Sequence, residues 1–384
     1  MGIITSSVEN KNIFKFFLFI WIMALPFKNA VYQISVILII LYFIVHIIKT
    51  KNINILKENL KVTIPLFIGF SFIIFAMLLA NLLNLEYLDK KSWHLIYMFI
   101  IRYAFIFIIL AYFYRLEYFD KKEIVVVLFA SFSLLAITGI YEIIQDPNVI
   151  FGVGITGTLD NRNAFGLFMG MGFVLSLLLM EHKRNLGITL ILIFSFLMIF
   201  SFSRSCWVAS VTSSFIFFLI NYKKIRLNHF IYLFIFLGFL LVLYFSFDSF
   251  QERFAQLLQG NSSFRTTIWS HTIVIIKEEL IFGYGLDSWQ NLSDPYLKQF
   301  PDPHNMVLEI LTYTGLIGLI ACFFTIGVIL YKIFKDRNFV LLSVVSYFLV
   351  VTQFDFGAFY SKELLSFLTI FVFFVYSNSF KQIK

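Results

Sequence analysis

Charge is scarce in this chain. Asp, Glu, Lys and Arg make up 14% of its 384 residues, against about 25% in a soluble domain, so polar side chains are too few to cover a water-facing surface. Cysteine is scarcer still. Cys206 and Cys322 are the only two, each in or beside an apolar run and with no CxxC pair. A disulfide framework is excluded, and a redox or zinc role is disfavoured. No GxxxxGK[ST] phosphate loop occurs, which argues against ATP-driven transport. The chain also lacks HExxH, against a zincin protease, and any Asp-x-Asp pair, against a metal-bound nucleotide-sugar donor. The expectation is therefore no metal and no cofactor. The net charge of +8 comes from basic residues scattered through short loops; without a compact basic stripe, nucleic acid is not an expected partner.

What is present is apolar. Hydrophobic residues form 60% of the chain, the mean hydropathy is +0.87, and runs near 20 residues recur from end to end, long enough to cross hydrocarbon. The predicted fold class is an all-α polytopic membrane protein, one integral domain over 1–384, surrounded by membrane lipids. About twelve spans are expected, near 12–27, 31–48, 64–84, 94–114, 123–143, 162–180, 186–202, 205–220, 229–247, 310–331, 338–354 and 363–378. Lys11 and Lys15 ahead of the apolar run 16–25 resemble a signal peptide, but no small-residue cleavage site follows and a second span begins almost at once. The run reads as a retained first span.

Orientation follows from Lys and Arg. With a cytoplasmic N-terminus, nineteen of the thirty basic residues fall on inner segments, from Lys11 and Lys15 through Lys223, Lys224 and Arg226 to Lys381 and Lys384. Ten fall outside, four of them in one long loop, and Arg102 lies within a span. Both termini are thus placed in the cytoplasm of a bacterial inner membrane, and one large segment, about 248–309, on the periplasmic face. Within it, 264–280 has the spacing of an amphipathic interfacial helix. Phe282-Gly-Tyr-Gly285 breaks that helix, and Asp302-Pro303 marks the start of the next, with Asp302 as N-cap and His304 and Asn305 in the first turn. The free N–H groups of such a turn favour an anion.

Three basic residues share this outer boundary. Arg204 interrupts the apolar run between spans seven and eight, Arg265 opens the interfacial helix, and His304 precedes span ten. An arginine fork suits phosphate oxygens, and a histidine can take a proton from a sugar hydroxyl. Snorkelling to lipid headgroups explains either arginine equally well. Trp269, one turn after Arg265, reads as an interfacial anchor or as a platform for a sugar; Trp207 has the same two readings. Arg102 sits several residues below the outer boundary, where an isolated charge costs about 3 kcal/mol. It serves either a substrate or a structural ion pair with Glu142 or Asp355.

In order along the chain, Thr156-Gly-Thr-Leu-Asp-Asn-Arg-Asn163, Ser201-Phe-Ser-Arg-Ser-Cys-Trp207, Ser263-Phe-Arg-Thr-Thr-Ile-Trp269, Phe282-Gly-Tyr-Gly285, Pro303-His-Asn-Met-Val-Leu-Glu309 and Thr314-Gly-Leu-Ile-Gly318 resemble the O-antigen ligase family, which also holds many O-antigen polymerases. The resemblance covers about 150–320. It implies a GT-C-like, metal-independent glycosyltransferase, inverting at the anomeric carbon, with an undecaprenyl-pyrophosphate-linked glycan as donor and lipid A–core as acceptor. It also implies catalytic roles for Arg204, Arg265 and His304, and substrate contacts for Arg102, Arg162, Asn305 and Trp269. Arg162 stands where many relatives have Gly-Asn-Pro-Asn, so its counterpart is unassigned. No extended periplasmic domain follows span twelve, which disfavours the related protein O-oligosaccharyltransferases. The nearest rival is a polymerase extending the lipid-linked chain; a more distant one is a transporter or flippase for lipid-linked sugars, which discontinuous helices or paired half-repeats would mark.

Overall fold

The computed structural model describes residues 2–27, 29–159, 161–224, 227–259, 264–355, 357, 359 and 361–382. Asp160 and Ser263 of the motifs above, Arg226 and Lys384 lie outside them. The described residues are helical with no strand. Among the described residues, seven helices are long and apolar enough to cross a membrane: Asn29–Thr50, Ile53–Leu83, Lys90–Arg115, Lys121–Gln145, Arg162–Met180, Met306–Lys335 and Lys362–Lys381. Shorter apolar helices at Arg184–Phe200, Arg204–Ile220, Leu237–Ser246 and Leu341–Val351 coincide with further expected spans.

Outward faces of these helices carry Ile37, Phe72, Val211, Phe245 and Ile320, each more than half exposed. Exposing such area to water costs about 25 cal/mol per Å², a penalty that surrounding hydrocarbon removes. Several buried hydroxyls, in turn, are satisfied within their own helices. Thr63 donates to Asn59 O at 2.9 Å, Thr325 to Ala321 O at 2.8 Å and Ser176 to Gly172 O at 2.6 Å. An unsatisfied polar group in hydrocarbon costs several kcal/mol, so a polar residue in a span must be answered locally.

Two compact units make up the chain. The first comprises Met1–Leu128, Arg265–Arg337 and Phe356–Lys384. Its helix Ile53–Leu83 begins eleven residues before the expected span, because Lys57, Glu58 and Lys61 interrupt the apolar pattern without ending the helix. Arg115, at the end of the Lys90–Arg115 span, pairs with Glu58 on that extra length. Most of the long segment 248–309 also belongs here. Ile268, Ile275, Tyr284, Trp289 and Leu297 bury against Ile73, Met77, Phe99 and Tyr313 of the spans. A helix is present at Arg265–Glu278, within the stretch 264–280 expected to be helical, with Ile268, Thr272, Ile275 and Ile276 as its buried face.

Met306–Lys335 is not one continuous helix. Gly315 has φ 62 and ψ −161 inside it. This breaks the helical ladder, and the segment after Glu279 repairs it. Tyr284 N–H donates to Thr312 O at 2.7 Å and Gly285 N–H to Tyr313 O at 3.0 Å, while Leu316 N–H donates to Leu280 O at 2.9 Å. Gly283, also left-handed at φ 67, lies so close that a Cβ there would sit 2.7 Å from Gly315 N and Thr312 O. The two glycine motifs seen separately in the sequence are therefore one main-chain junction. Asn84 and Asn81, at the end of Ile53–Leu83, hold it from the other side through Gly283 O (2.9 Å) and Leu286 N–H (2.8 Å).

The second unit comprises Phe129–Phe264 and Asn338–Asp355. Arg162–Met180 packs on Arg184–Phe200, and Arg204–Ile220 on Leu341–Val351. Close approach depends on Gly170, where a Cβ would fall 2.0 Å from the hydroxyl of Tyr347. That hydroxyl donates to Leu167 O at 3.1 Å. Small residues at helix contacts are the usual membrane solution, since they let backbones approach closely.

Candidate functional site

In the first unit the chain brings five of the expected residues toward one turn. Phe264, at φ 68, turns the backbone into the Arg265–Glu278 helix, so Arg265 is its first residue. One turn on, the Trp269 indole N–H donates to Pro303 O at 3.0 Å, tying that helix to the 302–305 turn. Trp269 is thus a brace for the turn, with a half-buried ring.

The turn itself differs from the sequence expectation. Asn305, not Asp302, is the N-cap of Met306–Lys335: it is extended at φ −154 and ψ 120, and its side chain accepts from Leu308 N–H at 3.0 Å. His304 has φ 51, incompatible with a helical first turn, and so precedes the helix. Asp302 instead caps His304. Its Oδ1 accepts the His304 main-chain N–H at 2.6 Å and lies 3.1 Å from ring Nδ1. The left-handed conformation of His304 accounts for the difference: the helix can start only after it, so the cap passes from Asp302 to Asn305, while the Asp302 side chain closes the preceding turn. The carbonyl oxygen of Asn305 is accordingly committed to the cap.

Burial pushes the Asp302 carboxyl up, but the hydrogen bonds and charge of His304, with the nearby Arg265 charge, hold it below the ordinary carboxylate value. Asp302 is therefore ionised at neutral pH, and Arg265 and His304 act on the same carboxylate.

Arg102 lies elsewhere in this unit, in the π-helical stretch Ile100–Phe105. Its guanidinium stands 5.6 Å from the Tyr32 ring centroid, a ring that Lys362 also approaches, at 5.5 Å. A π-turn often marks a functional position, here one where an aromatic face meets two cations. The carboxylates considered as its partners are engaged in the second unit. Glu142 accepts from Thr156 N–H (2.9 Å), Thr156 Oγ1 (3.0 Å) and Gly157 N–H (2.6 Å). Asp355, buried, accepts from Ser205 Oγ at 2.6 Å and Asn163 Nδ2 at 3.1 Å.

Arg204 and Arg162 belong to this second unit. Arg204 is half-buried and opens the Arg204–Ile220 helix just after Phe202, which is left-handed at φ 53. Arg162 donates to Val153 O at 3.3 Å at the head of Arg162–Met180, a helix capped by Asn161. Trp207 is buried, its indole N–H donating to Met198 O at 3.2 Å. It is neither an interfacial anchor nor a platform.

Some residues escaped sequence reasoning. Glu309 is fully buried and accepts from Phe359 N–H at 3.3 Å. His271 meets Asp294 at 2.7 Å, with the Tyr296 ring stacked on the imidazole at 4.7 Å. Nothing local in the sequence pairs these positions. Among the described residues no group of three or more His, Cys, Asp or Glu side chains is placed to hold a metal ion.

Residues 188–323 match the family model described as O-antigen ligase. The match supports the O-antigen ligase family for this chain, and with it a glycan transferase of the ligase or polymerase type. It spans Arg204, Arg265, Trp269, His304, Asn305 and both glycine motifs; Arg102 and Arg162 precede it. A search of curated proteins finds no match.

The His271–Asp294 pair makes a pH-dependent clasp. Burial raises the Asp294 carboxyl, but the His271 bond and the Tyr296 main-chain N–H outweigh it and leave the group below its ordinary value. A depressed carboxylate stabilises the fold fully above its unfolded pKa and loses that contribution as pH falls through the folded one. Asp294→Ala is expected to raise amide exchange across 289–300 about fivefold at neutral pH, a loss near 1 kcal/mol. Hydrogen–deuterium exchange checks this, and unchanged protection would show that the clasp carries no weight.

Proposed function

We propose that this protein is an O-antigen ligase-type glycosyltransferase. On this reading it moves a completed glycan from undecaprenyl pyrophosphate to lipid A–core at the periplasmic face of the inner membrane. The observation that carries the reading is the Asp302–His304 turn, braced by Trp269 onto the helix that Arg265 opens. Arg265 neutralises the pyrophosphate, which then departs without nucleotide hydrolysis. His304 takes the proton of the acceptor hydroxyl as its oxygen attacks the anomeric carbon from the side opposite the leaving group, inverting it. Arg102 and Asn305, in the same unit as His304, remain candidates for donor contact, and the roles expected of Arg204 and Arg162 rest on their motifs alone.

The transporter reading is weaker. The break at Gly315 is the kind of discontinuity it calls for, but the carbonyls there accept from the chain's own N–H groups. A polymerase would use the same donor and the same chemistry with a different acceptor. Glycans from cells lacking the gene, separated by length and anchor lipid, distinguish these readings. Full-length polymer stranded on undecaprenyl pyrophosphate, with bare core, is the expected result. A single repeat unit on core would mean polymerase, and an unchanged profile would remove the transferase reading.

A further inference from the structure

A histidine can act as a base through either ring nitrogen, and what touches the other nitrogen decides which. At His304 the contact is specific. Asp302 Oδ1 sits 3.1 Å from Nδ1 and 2.6 Å from the main-chain nitrogen of the same residue. The backbone bond fixes where that oxygen lies, so the ring must meet it. His304 is held at φ 51, Pro303 is held by the Trp269 indole, and Asn305 is locked as a helix cap. Residues on either side of the imidazole are thus pinned by independent bonds.

We propose that Asp302 is a positioning residue for His304, holding the imidazole in the tautomer protonated on Nδ1 and so making Nε2 the basic nitrogen. The inference rests on the transferase reading given above and assigns it one further part. An ionised carboxylate only accepts hydrogen bonds. His304 and the Arg265 charge act on Asp302, and both favour its ionised form. A ring nitrogen 3.1 Å from such an oxygen is therefore a donor.

The step balances. Nε2 takes the proton of the acceptor hydroxyl while that oxygen bonds to the anomeric carbon. The bond from this carbon to the pyrophosphate oxygen breaks, and its electron pair leaves with the lipid pyrophosphate. The imidazolium formed faces the Asp302 carboxylate, which stabilises the new charge without itself taking the proton.

His271 and Asp294 form a similar Nδ1 contact, at 2.7 Å. There the main-chain donors to the carboxylate are Tyr296 and Leu297, not the histidine's own N–H. It serves as an internal comparison.

The test uses full-length protein in proteoliposomes, with an undecaprenyl-pyrophosphate-linked oligosaccharide as donor and lipid A–core as acceptor. Asp302→Asn is expected to lower kcat about 100-fold with KM within about threefold, as loss of an orienting carboxylate does. Asp302→Glu should recover part of the loss. Protein labelled with nitrogen-15 histidine reads the tautomer directly, and His304→Ala identifies the signal. The wild type should show Nδ1–H at His304, and Asp302→Asn should move population to Nε2–H. Wild-type kcat in Asp302→Asn would overturn the proposal, and so would a lost kcat with the tautomer unchanged, since that is a purely structural defect. Full activity in His304→Ala would instead remove the transferase role of His304, while the nitrogen spectra would still report whether Asp302 sets its tautomer.

Discussion

Gly315→Ala is expected to prevent this protein from reaching its folded state. A Cβ at that position would lie 2.2 Å from Ile281 O, 2.3 Å from Ile281 C and 2.6 Å from Phe282 N. All three are main-chain atoms, so no side chain can rotate out of the way. They belong to the segment that satisfies the broken helix, so moving them opens its hydrogen bonds. The left-handed φ of 62 adds about 1 kcal/mol for any residue with a Cβ. Overpacking and the lost bonds together take the effect to about 4 kcal/mol or more, in the range reserved for severe core lesions. Gly327 provides the control. It lies in the same helix, with nothing within 4 Å of its would-be Cβ, so Gly327→Ala should be neutral or stabilise by up to about 1 kcal/mol. Detergent-solubilised protein, followed by size exclusion and thermal unfolding, separates the two. A Gly315→Ala variant that melts like wild type would show that the junction does not hold the helix.

His304→Ala should leave the fold intact and abolish transfer, by a factor of about 10² to 10⁴ if the ring is a general base. The side chain is 27% exposed, and its removal leaves no large cavity. The strained φ of 51 is common to both residues and cancels. His304→Asn is the stricter variant, because asparagine tolerates that conformation and keeps a polar group without a titratable nitrogen. Both variants should insert and migrate as wild type. Full activity in a stably expressed His304→Ala protein would exclude the general-base role.

Much of the architecture is legible in apolar runs, and the reasons for the exceptions are specific. Lys57, Glu58 and Lys61 mask the true start of Ile53–Leu83, and Arg115, the partner of Glu58, lies in another helix. The motif at Pro303-His-Asn is visible, as is its helix. Which Asx residue caps it is not, since that depends on the backbone of His304. Arg102 stands out as a charge within a span, but its neighbour is an aromatic ring at the start of a different helix, and no charge-pairing rule finds that. The role of Asp302 is similarly hidden. Two residues before a histidine, an aspartate reads as a cap until the geometry shows one oxygen meeting two nitrogens.

The junction between Gly283 and Gly315 also bears on how such a protein is made and inherited. The chain emerges from its N-terminus, so Leu280–Gly285 is synthesised before the helix that needs it, with a loop of about thirty residues between them, which is inexpensive to close. Until the two meet, the carbonyls of Thr312 and Tyr313 and the N–H of Leu316 lack the partners they have in the finished fold, a state that hydrocarbon penalises by several kcal/mol per group. Membrane insertion of this helix and docking of 280–285 against it are thus a single assembly event. A chimera that exchanges either stretch between related proteins has to keep Gly283 and Gly315, where a Cβ would meet main-chain atoms of the other.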